Sequence, residues 1–228
     1  MGFERVLDVL FPSVCVGCDA RDGPLCGACL PAGPLRRVHL GALDVAAIGP
    51  YEGALRRMTL AFKRGRRDVG IALAAALAEG LGAKRGLTLV PVPTTPARRR
   101  ERGFDQGIFL ARELARRADL GVIEILRQTA GDAQRGRSRS ARLDAQGRFR
   151  CENRQLIDGA RVLLVDDVVT TGATLRDCAG VLSEAGARVA GAIVVAYAPK
   201  PGRRGRREEE RLDESDLERR GDRRQQRD

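Results

Sequence analysis

Two acids and a threonine-rich turn follow one apolar run in this sequence. Asp166 and Asp167 come after four apolar residues, and the segment TTGAT begins three residues later. A glycine at a strand-to-helix turn lets backbone N–H groups point inward, threonine hydroxyls add donors, and the next helix N-terminus adds partial positive charge. Such a turn binds a phosphate dianion. The predicted phosphate ligands are Thr170, Thr171, Gly172, Ala173 and Thr174.

The acid pair narrows the class of ligand. Adjacent carboxylates at a strand end accept hydrogen bonds from the vicinal hydroxyls of a ribose, or orient the waters of a Mg²⁺ ion. A ribose 5-phosphate therefore fits along the segment, with its hydroxyls at Asp166 and Asp167. The segment has no lysine and lacks the glycine–lysine pattern of ATPase phosphate loops. The alternative is a plain strand–helix turn in which the two acids cap backbone groups.

The run Val162–Leu175, VLLVDDVVTTGATL, closely resembles the phosphoribosyl pyrophosphate signature of type I phosphoribosyltransferases. The resemblance implies an α/β fold with an open, mainly parallel sheet flanked by helices. It also implies a ligand that is phosphoribosyl pyrophosphate, accompanied by Mg²⁺, or a nucleotide. Asp166 and Asp167 would then belong to the catalytic site.

A second segment, 90–104, reads VPVPTTPARRRERGF and runs from a strand through a proline-bounded turn into arginines. Backbone N–H groups and cations aimed at a departing pyrophosphate lower the barrier to its release. In type I enzymes the turn after this strand holds the pyrophosphate. The resemblance therefore assigns that role to Pro93, Thr94, Thr95, Arg98 and Arg102.

Lys63 is a third candidate for the catalytic site. Almost all basic residues are arginines, and lysines occur only at positions 63, 84 and 200. A lysine supplies a compact point charge rather than a planar fork, which suits a pyrophosphate held by the segment 90–104. One lysine among many surface cations is an equally weighted alternative.

The segment Gln128–Arg148 has no apolar periodicity and is rich in arginine, serine and glycine. This pattern predicts a long mobile loop. In type I enzymes a flexible loop at this place closes over the substrate, so its arginines would bring charge to the pyrophosphate. Gripping a nucleic-acid backbone is the open alternative. The arginines concerned are Arg135, Arg137, Arg139 and Arg142.

Four cysteines near the N-terminus form two pairs with the spacing C-x-x-C, Cys15 with Cys18 and Cys26 with Cys29. Two such knuckles make a tetrahedral site for a structural Zn²⁺, whose four ligands leave no position for catalysis. Reactive or redox thiols are the alternative. Cys178, in a helical pattern, is predicted to be a small buried residue.

The spacing of apolar residues predicts the elements that position these groups. Strands are predicted at Val45–Tyr51, Leu87–Val92, Val122–Leu126, Arg161–Val168 and Arg188–Ala198. Helices are predicted at Ala54–Phe62, Val69–Gly82, Gln106–Arg117 and Thr174–Ala185. In a sheet built from such alternation, ligands bind beyond the carboxyl ends of the strands.

Composition divides the chain into three parts. Residues 1–40 are rich in cysteine and proline and are predicted to form the zinc-binding module, beginning with a short helix. Residues 45–198 alternate apolar runs with helical patterns, and the resemblance implies that they form the phosphoribosyltransferase-like domain. Residues 199–228 form the charged tail, with eleven basic and nine acidic residues among thirty. This mixture predicts a disordered tether or solubility tail.

Net charge and hydropathy limit the classes of partner and the cellular location that are compatible with the sequence. The formal net charge is +11, which favours an anionic partner such as phosphate or nucleic acid, or is simply a solvated surface. No apolar run reaches the length of a membrane span, and the N-terminus lacks the features of a signal peptide. We therefore expect a cytoplasmic protein; the oligomeric state stays open.

The combination of motifs resembles the ComF family, which joins a four-cysteine zinc finger to a type I phosphoribosyltransferase domain. Further matching runs include Tyr51–Gly53 and Arg102–Gln106, whereas DAQGRF at 144–149 departs from the family pattern. The resemblance implies a role in competence, where single-stranded DNA enters the cytoplasm. Three functions stay open: a transferase with an unknown acceptor, a single-strand DNA-binding module, and a nucleotide sensor without turnover. Few aromatics, 4% of residues, weigh against base stacking.

Overall fold

The computed structural model describes residues 14–21, 25–30, 33–82, 86–129 and 148–198. Several predicted features lie outside these ranges. They are the short N-terminal helix, the four arginines Arg135, Arg137, Arg139 and Arg142, and the charged tail.

Most of the strands in the described residues form one sheet. The strands are β1 (Arg36–Leu40), β2 (Leu43–Pro50), β3 (Thr88–Pro91), β4 (Gly121–Val122), β5 (Leu126–Gln128), β6 (Phe149–Cys151), β7 (Arg161–Val169) and β8 (Arg188–Tyr197). The main sheet has the order β1-β2-β8-β7-β3-β4. Its β1–β2 pairing is antiparallel, and its other pairings are parallel. The predicted open, mainly parallel sheet is confirmed.

Helices connect the parallel strands and cover the sheet. They are α1 (Gly53–Lys63), α2 (Arg67–Leu81), α3 (Pro96–Arg102), α4 (Gln106–Ala118) and α5 (Ala173–Glu184). Four of them match the predicted helices to within a few residues at each end. The short helix α3 is an addition, and it begins at a proline preceded by Thr95, whose hydroxyl caps it.

The predicted strand at Val122–Leu126 is wrong. Its first residue pairs with β3, and Ile123 N–H still donates to the Leu89 carbonyl at 2.9 Å. The chain then leaves the sheet, and Leu126 begins a separate antiparallel hairpin of β5 and β6. Apolar residues continue through this stretch because the hairpin also buries Ile125 and Leu126. An apolar run therefore does not distinguish one strand from two.

Strand β1 was not predicted, since its five residues were placed in the cysteine-rich module. Only Leu40 of β1 is fully buried, and the rest of the strand is exposed or half-buried. This edge strand has the weak apolar signal that is typical of a strand paired on one side only. His39 lies on it with its side chain 71% exposed, beside Asp44.

Two apolar cores lie on opposite faces of the sheet. Val162 and Leu164 of β7 pack into the core that α5 and the β5–β6 hairpin cover. Leu163 and Val165 pack into the core that α1, α2 and α4 cover. Residues that alternate along one strand therefore stabilise both layers. Cys178 on α5 is fully buried in the first core, which confirms its predicted place.

Helix α4 approaches the sheet so closely that Gly107 has no room for a side chain. A Cβ at this position would lie 2.5 Å from the Val92 carbonyl oxygen and 3.6 Å from that of Val165. The close approach brings the N-terminus of α4 to the ends of β3 and β7. Glycine is therefore required here by packing, although alanine has the higher helix propensity.

We expect Gly107→Ala to lower the free energy of unfolding by about 2 kcal/mol, because the added methyl must displace backbone. The matched control is Gly180→Ala on α5, where a Cβ would meet nothing within 4 Å. That variant should gain about 0.5 kcal/mol from helix propensity. Urea unfolding of both variants measures the difference, and equal stabilities would contradict the packing argument.

Candidate phosphoribosyl site

The acid pair and the proline-bounded turn are neighbours at the carboxyl ends of β7 and β3. Pro91 pairs with Val165 in the parallel register, and Val92 N–H donates to the Val165 carbonyl at 2.9 Å. The next residues on the two strands are therefore the turn at 93–95 and the acids Asp166 and Asp167. The fold brings together two segments that the sequence separates widely, at the edge where ligands bind in such sheets.

Lys63 lies at the acid pair. It is the last residue of α1, and its Nζ is 3.1 Å from Asp167 Oδ2. The lysine and aspartate side chains are 23% and 13% exposed, so the ion pair is largely shielded from water. The predicted catalytic residues Lys63, Asp166 and Asp167 are thus brought into one cluster.

Asp166 has a different environment from its neighbour. Its Oδ1 accepts a hydrogen bond from the Asp167 N–H at 2.8 Å. Burial, followed by the charge of Asp167, raises the pKa of Asp166 to about 8. The backbone N–H of Asp167 and the ammonium of Lys63 oppose this rise. Protonation of Asp166 therefore falls within the range of near-neutral pH.

The raised pKa of Asp166 predicts a pH-dependent stability. A carboxyl whose pKa is higher in the folded than in the unfolded chain binds its proton more tightly when folded. Its contribution to stability is therefore lost as pH rises from about 4 to about 8. We expect the wild type to lose about 2 kcal/mol between pH 5 and pH 8.5 that Asp166→Asn retains. Parallel pH profiles of urea unfolding for the two proteins would contradict this expectation.

The predicted phosphate turn begins directly after β7. Gly172 has φ of +75° and precedes α5, so the chain turns sharply into the helix. A Cβ on Gly172 would also lie 2.5 Å from Leu40 Cδ1 of β1. Thr170 and Thr171 are exposed, and Thr174 lies in the first turn of the helix. The turn thus presents hydroxyls and the free N–H groups of an α-helix N-terminus on one surface.

Arg176 supports this turn and was not selected from the sequence. Its Nη1 donates to the Thr171 carbonyl at 3.0 Å, and its backbone N–H donates to the Gly172 carbonyl at 2.9 Å. The guanidinium therefore adds positive charge beside the N-terminus of α5. In a chain this rich in arginine, a single arginine carries no distinguishing signal in the sequence.

Asp105 fixes the predicted pyrophosphate turn and was also missed. Its Oδ2 accepts from the Thr94 N–H at 3.0 Å, and its Oδ1 accepts from the Ile108 N–H at 3.2 Å. One buried carboxylate thus joins the turn to the N-terminus of α4. The signal available in the sequence was an aspartate directly before a helical pattern, which is typical of an N-cap.

The basic residues after this turn differ in their surroundings. Arg98 is exposed on α3, and its backbone N–H donates to the Thr95 hydroxyl at 3.1 Å. Arg102 is half-buried, and its Nη1 donates to Gln106 Oε1 at 3.0 Å. Gln106 Nε2 is the one buried side-chain polar atom without a hydrogen-bond partner in the part of the chain that the structure describes. Gln106 therefore orients Arg102 and retains a spare donor.

The edges of the segment 130–147 are anchored near α5. Thr129 N–H donates to the Arg148 carbonyl at 2.9 Å, so residues on either side of the segment are joined. The Arg148 guanidinium forms an ion pair with Asp177 on α5, with Nε 2.9 Å from the carboxylate. Arg148 is therefore tied to the helix that follows the phosphate turn.

The four predicted zinc ligands converge. The Sγ atoms of Cys15, Cys18, Cys26 and Cys29 all lie within 4.8 Å of one another. Tetrahedral Zn–S bonds of about 2.3 Å place the sulfurs about 3.8 Å apart, so the cluster has the dimensions of a zinc site. Membership in one cluster fits a single metal ion better than two separate disulfides, and the four cysteines are unbridged.

Hydrogen bonds to sulfur support the same interpretation. The N–H groups of Gly17 and Cys26 each donate to Cys15 Sγ at 3.3 Å. The Cys26 N–H lowers the pKa of Cys15 to about 6, whereas the Cys18 thiol raises the pKa of Cys29 to about 12. Four adjacent thiols cannot all ionise without a cation among them, so the donor set is suited to a bound Zn²⁺.

The cysteine cluster is attached to the helix that carries Lys63. The Arg57 guanidinium on α1 donates to the Gly17 carbonyl through Nη2 and through Nε, the latter at 2.8 Å. Gly17 lies between two of the cysteines in the first knuckle. The knuckle and α1 therefore form one packed unit.

Among the residues that the structure describes, no helix has both the length and the apolar character to cross a membrane.

A family model for the phosphoribosyl transferase domain matches residues 105–220, about half of the chain. The matched range contains Asp105, the acid pair and the phosphate turn. The solved structures that resemble this chain include glutamine phosphoribosylpyrophosphate amidotransferase from B. subtilis, at 24% identity and a TM-score of 0.37. That likeness covers 58% of this chain and 26% of the other.

Two curated relatives have the same name. Competence protein ComFC of Bacillus subtilis (strain 168) is 35% identical over 98 residues, which are 43% of this chain and 39% of that protein. Competence protein ComFC of Streptococcus pneumoniae (strain ATCC BAA-255 / R6) is 31% identical over 112 residues, which are 49% of each chain. The matches thus span less than half of the length of these relatives. The family match and the two relatives together show that this chain belongs to the phosphoribosyl transferase domain family and is a ComF family protein.

Proposed function

We propose that this protein binds phosphoribosyl pyrophosphate with Mg²⁺ and transfers its phosphoribosyl group to an acceptor. The observation that carries the proposal is the meeting of three groups at one edge of the sheet. The acid pair lies in the last part of β7, the threonine–glycine turn follows β7, and the turn at 93–95 follows β3, which is adjacent and parallel to β7. These groups have the donors and acceptors that the hydroxyls, the 5-phosphate and the pyrophosphate of this ligand need.

The assigned roles follow from the donors and acceptors of each group. Asp166 and Asp167 accept hydrogen bonds from the 2- and 3-hydroxyls of the ribose. The turn Thr170–Thr174 donates N–H and hydroxyl groups to the 5-phosphate. The pyrophosphate lies on Pro93, Thr94, Thr95, Arg98 and Arg102, and the arginines 135, 137, 139 and 142 approach it from the segment outside the described residues. Mg²⁺ would neutralise pyrophosphate oxygens.

The proposed reaction needs little help from side-chain bases. A lone pair on an acceptor nitrogen forms the new bond to C1, while the C1–O bond breaks and its electron pair leaves with pyrophosphate. Positive charge on C1 and negative charge on the leaving oxygens develop together. Arg102, oriented by Gln106, and the Thr95 N–H of the turn stabilise the leaving group, so electrostatic stabilisation supplies most of the catalysis. The acceptor loses its proton to solvent.

We further propose that Cys15, Cys18, Cys26 and Cys29 hold one structural Zn²⁺. With four sulfur ligands the ion would have no open position, so its role would be to fold the module against α1. A phosphorylated metabolite as ligand is consistent with a cytoplasmic location.

Pyrophosphate release tests the transferase proposal. The wild type, with phosphoribosyl pyrophosphate and Mg²⁺, is supplied with a panel of nucleobases and amines. We compare it with a Thr171→Val and Thr174→Val variant, and with Thr88→Val at the far end of β3 as the matched control. We expect pyrophosphate release to require one class of acceptor. Release should fall at least tenfold in the double threonine variant and remain unchanged in the Thr88→Val control. If the protein binds the ligand but no acceptor causes pyrophosphate release, the transferase proposal is wrong and a nucleotide sensor takes its place.

A DNA-binding role has one supporting observation. Arg98, Arg99 and Arg100 are all exposed on α3, and the relatives' names refer to competence. If these arginines contact phosphates, affinity for a single strand should fall steeply as salt rises, with a slope that Arg99→Ala and Arg100→Ala reduce. A flat salt response would contradict this second candidate.

A further inference from the structure

The ammonium of Lys63 contacts one of the two acids to which the proposed function assigns the ribose hydroxyls. Its Nζ lies 3.1 Å from Asp167 Oδ2 in a largely shielded position. Asp167 is one of the two acceptors assigned to the ribose. A carboxylate oxygen that already accepts from an ammonium has fewer free lone pairs for a ligand. The ion pair therefore has to loosen when the site fills.

We infer that Lys63 is an exchangeable counter-ion, which neutralises Asp167 in the empty site and transfers to the pyrophosphate when the ribose hydroxyls take its place. The inference rests on the proposed function and adds a positioning role to it. In this exchange no covalent bond changes. One ion pair is replaced by hydrogen bonds from the ribose to Asp167 and a new ion pair between Lys63 and the pyrophosphate.

The geometry of the sheet makes the exchange short. The turn at 93–95 follows β3, the direct neighbour of β7 in the sheet. Neighbouring strands are about 4.8 Å apart, so the pyrophosphate turn is one strand away from Asp167. Lys63 ends α1 and has a flexible four-carbon stem with a compact charge, which can change partner without moving the helix. The following residues, Arg64 and Gly65, leave the helix.

The charge of the site explains why an internal cation is useful. Asp105 lies close enough to Asp166 to raise its pKa, so three carboxyl groups are gathered at this edge. Lys63 places a cation against these carboxyls, which offsets the repulsion that they would exert on an approaching pyrophosphate. A largely shielded ion pair contributes little net stability in general, because desolvation offsets its attraction. Its placement at a ligand site is therefore better explained by binding than by folding.

The affinities for two ligands distinguish an exchange of Lys63 between partners from a purely structural role of its ion pair. Ribose 5-phosphate has the hydroxyls and the 5-phosphate, whereas phosphoribosyl pyrophosphate adds the pyrophosphate. We would measure the affinity of the full chain for both by calorimetry, in Lys63→Met, Lys63→Arg and wild type, and follow folding by thermal unfolding. Arg64→Met, which removes an exposed charge from the adjacent residue, is the matched control.

Lys63→Met should bind phosphoribosyl pyrophosphate at least about tenfold more weakly, while ribose 5-phosphate binds as tightly as to wild type or more tightly. Lys63→Arg should restore part of the lost affinity. The control Arg64→Met should change the affinity for phosphoribosyl pyrophosphate and the affinity for ribose 5-phosphate by the same factor. Equal loss for both ligands in Lys63→Met, or no change for either, would overturn the exchange while leaving the proposed function intact. If the wild type binds neither ligand, the proposed function fails, and the exchange with it.

Discussion

Replacing both acids, as Asp166→Asn with Asp167→Asn, should lower the affinity for phosphoribosyl pyrophosphate at least about 100-fold. The amides are isosteric with the carboxyls, so packing is retained while charge is removed. Hydrogen bonds from ribose hydroxyls to carboxylates are charge-assisted and contribute about 1.5–3 kcal/mol each. At Asp166 part of this gain is offset near neutral pH by the cost of ionising the carboxyl, because its pKa is about 8 in the empty site. Lys63 would also lose its partner in the empty site. Calorimetric titration of the full chain measures the change.

The matched control removes the same number of carboxylates elsewhere. Asp44 and Asp68 have side chains 64% and 46% exposed and pair with His39 and Arg66. Exposed pairs contribute little to stability, so Asp44→Asn with Asp68→Asn should leave the affinity unchanged. If the Asp166 and Asp167 double variant binds the ligand as tightly as the control, the acid pair is not part of the binding site.

The second large effect is expected at the cysteines. Cys15→Ser with Cys26→Ser should abolish zinc binding, because a neutral hydroxyl does not replace a thiolate and only two sulfur ligands would remain. Structural zinc contributes about 10–16 kcal/mol of apparent binding free energy in small modules. Metal content of the purified protein should therefore fall from one zinc per chain to none. Thermal unfolding should show an earlier transition for the N-terminal region.

Cys151→Ser is the control for this experiment, since Cys151 is half-buried and lies on β6 away from the cluster. It should retain one zinc per chain. The attachment of Gly17 to Arg57 predicts that metal loss also loosens α1, which hydrogen exchange can detect. A wild-type protein that is free of zinc when grown with ample metal, or a double variant that retains it, would contradict the structural assignment.

The sheet was largely predictable because its strands carry distinct apolar signals. β7 and β8 are buried on both faces, and parallel strands of this kind are nearly continuous apolar runs. The phosphate turn was predictable because its function depends on residue types that are contiguous in the chain. The same holds for the cysteines, whose short spacing is itself the geometric requirement.

The parts that depend on contacts between distant residues were not predictable. Nothing in the sequence pairs Lys63 with Asp167, because the contact arises only when α1 packs beside the end of β7. The Asp105 carboxylate accepts a hydrogen bond from the Thr94 N–H and so fixes the turn. The helix α3, which lies between these two residues in the chain, was not predicted from the sequence. Strand β1 is an exposed edge, so its residues lack the apolar periodicity on which strand prediction depends.

Calorimetric titration of the wild-type full chain with phosphoribosyl pyrophosphate, with and without Mg²⁺, tests the central claim most directly. The account predicts saturable binding of one ligand per chain that weakens about tenfold or more without Mg²⁺, because the pyrophosphate charge is then less well neutralised. Inorganic pyrophosphate and ribose 5-phosphate should each bind more weakly than the whole ligand. An absence of binding at millimolar ligand in the presence of Mg²⁺ would contradict the assignment of the acid pair and the phosphate turn.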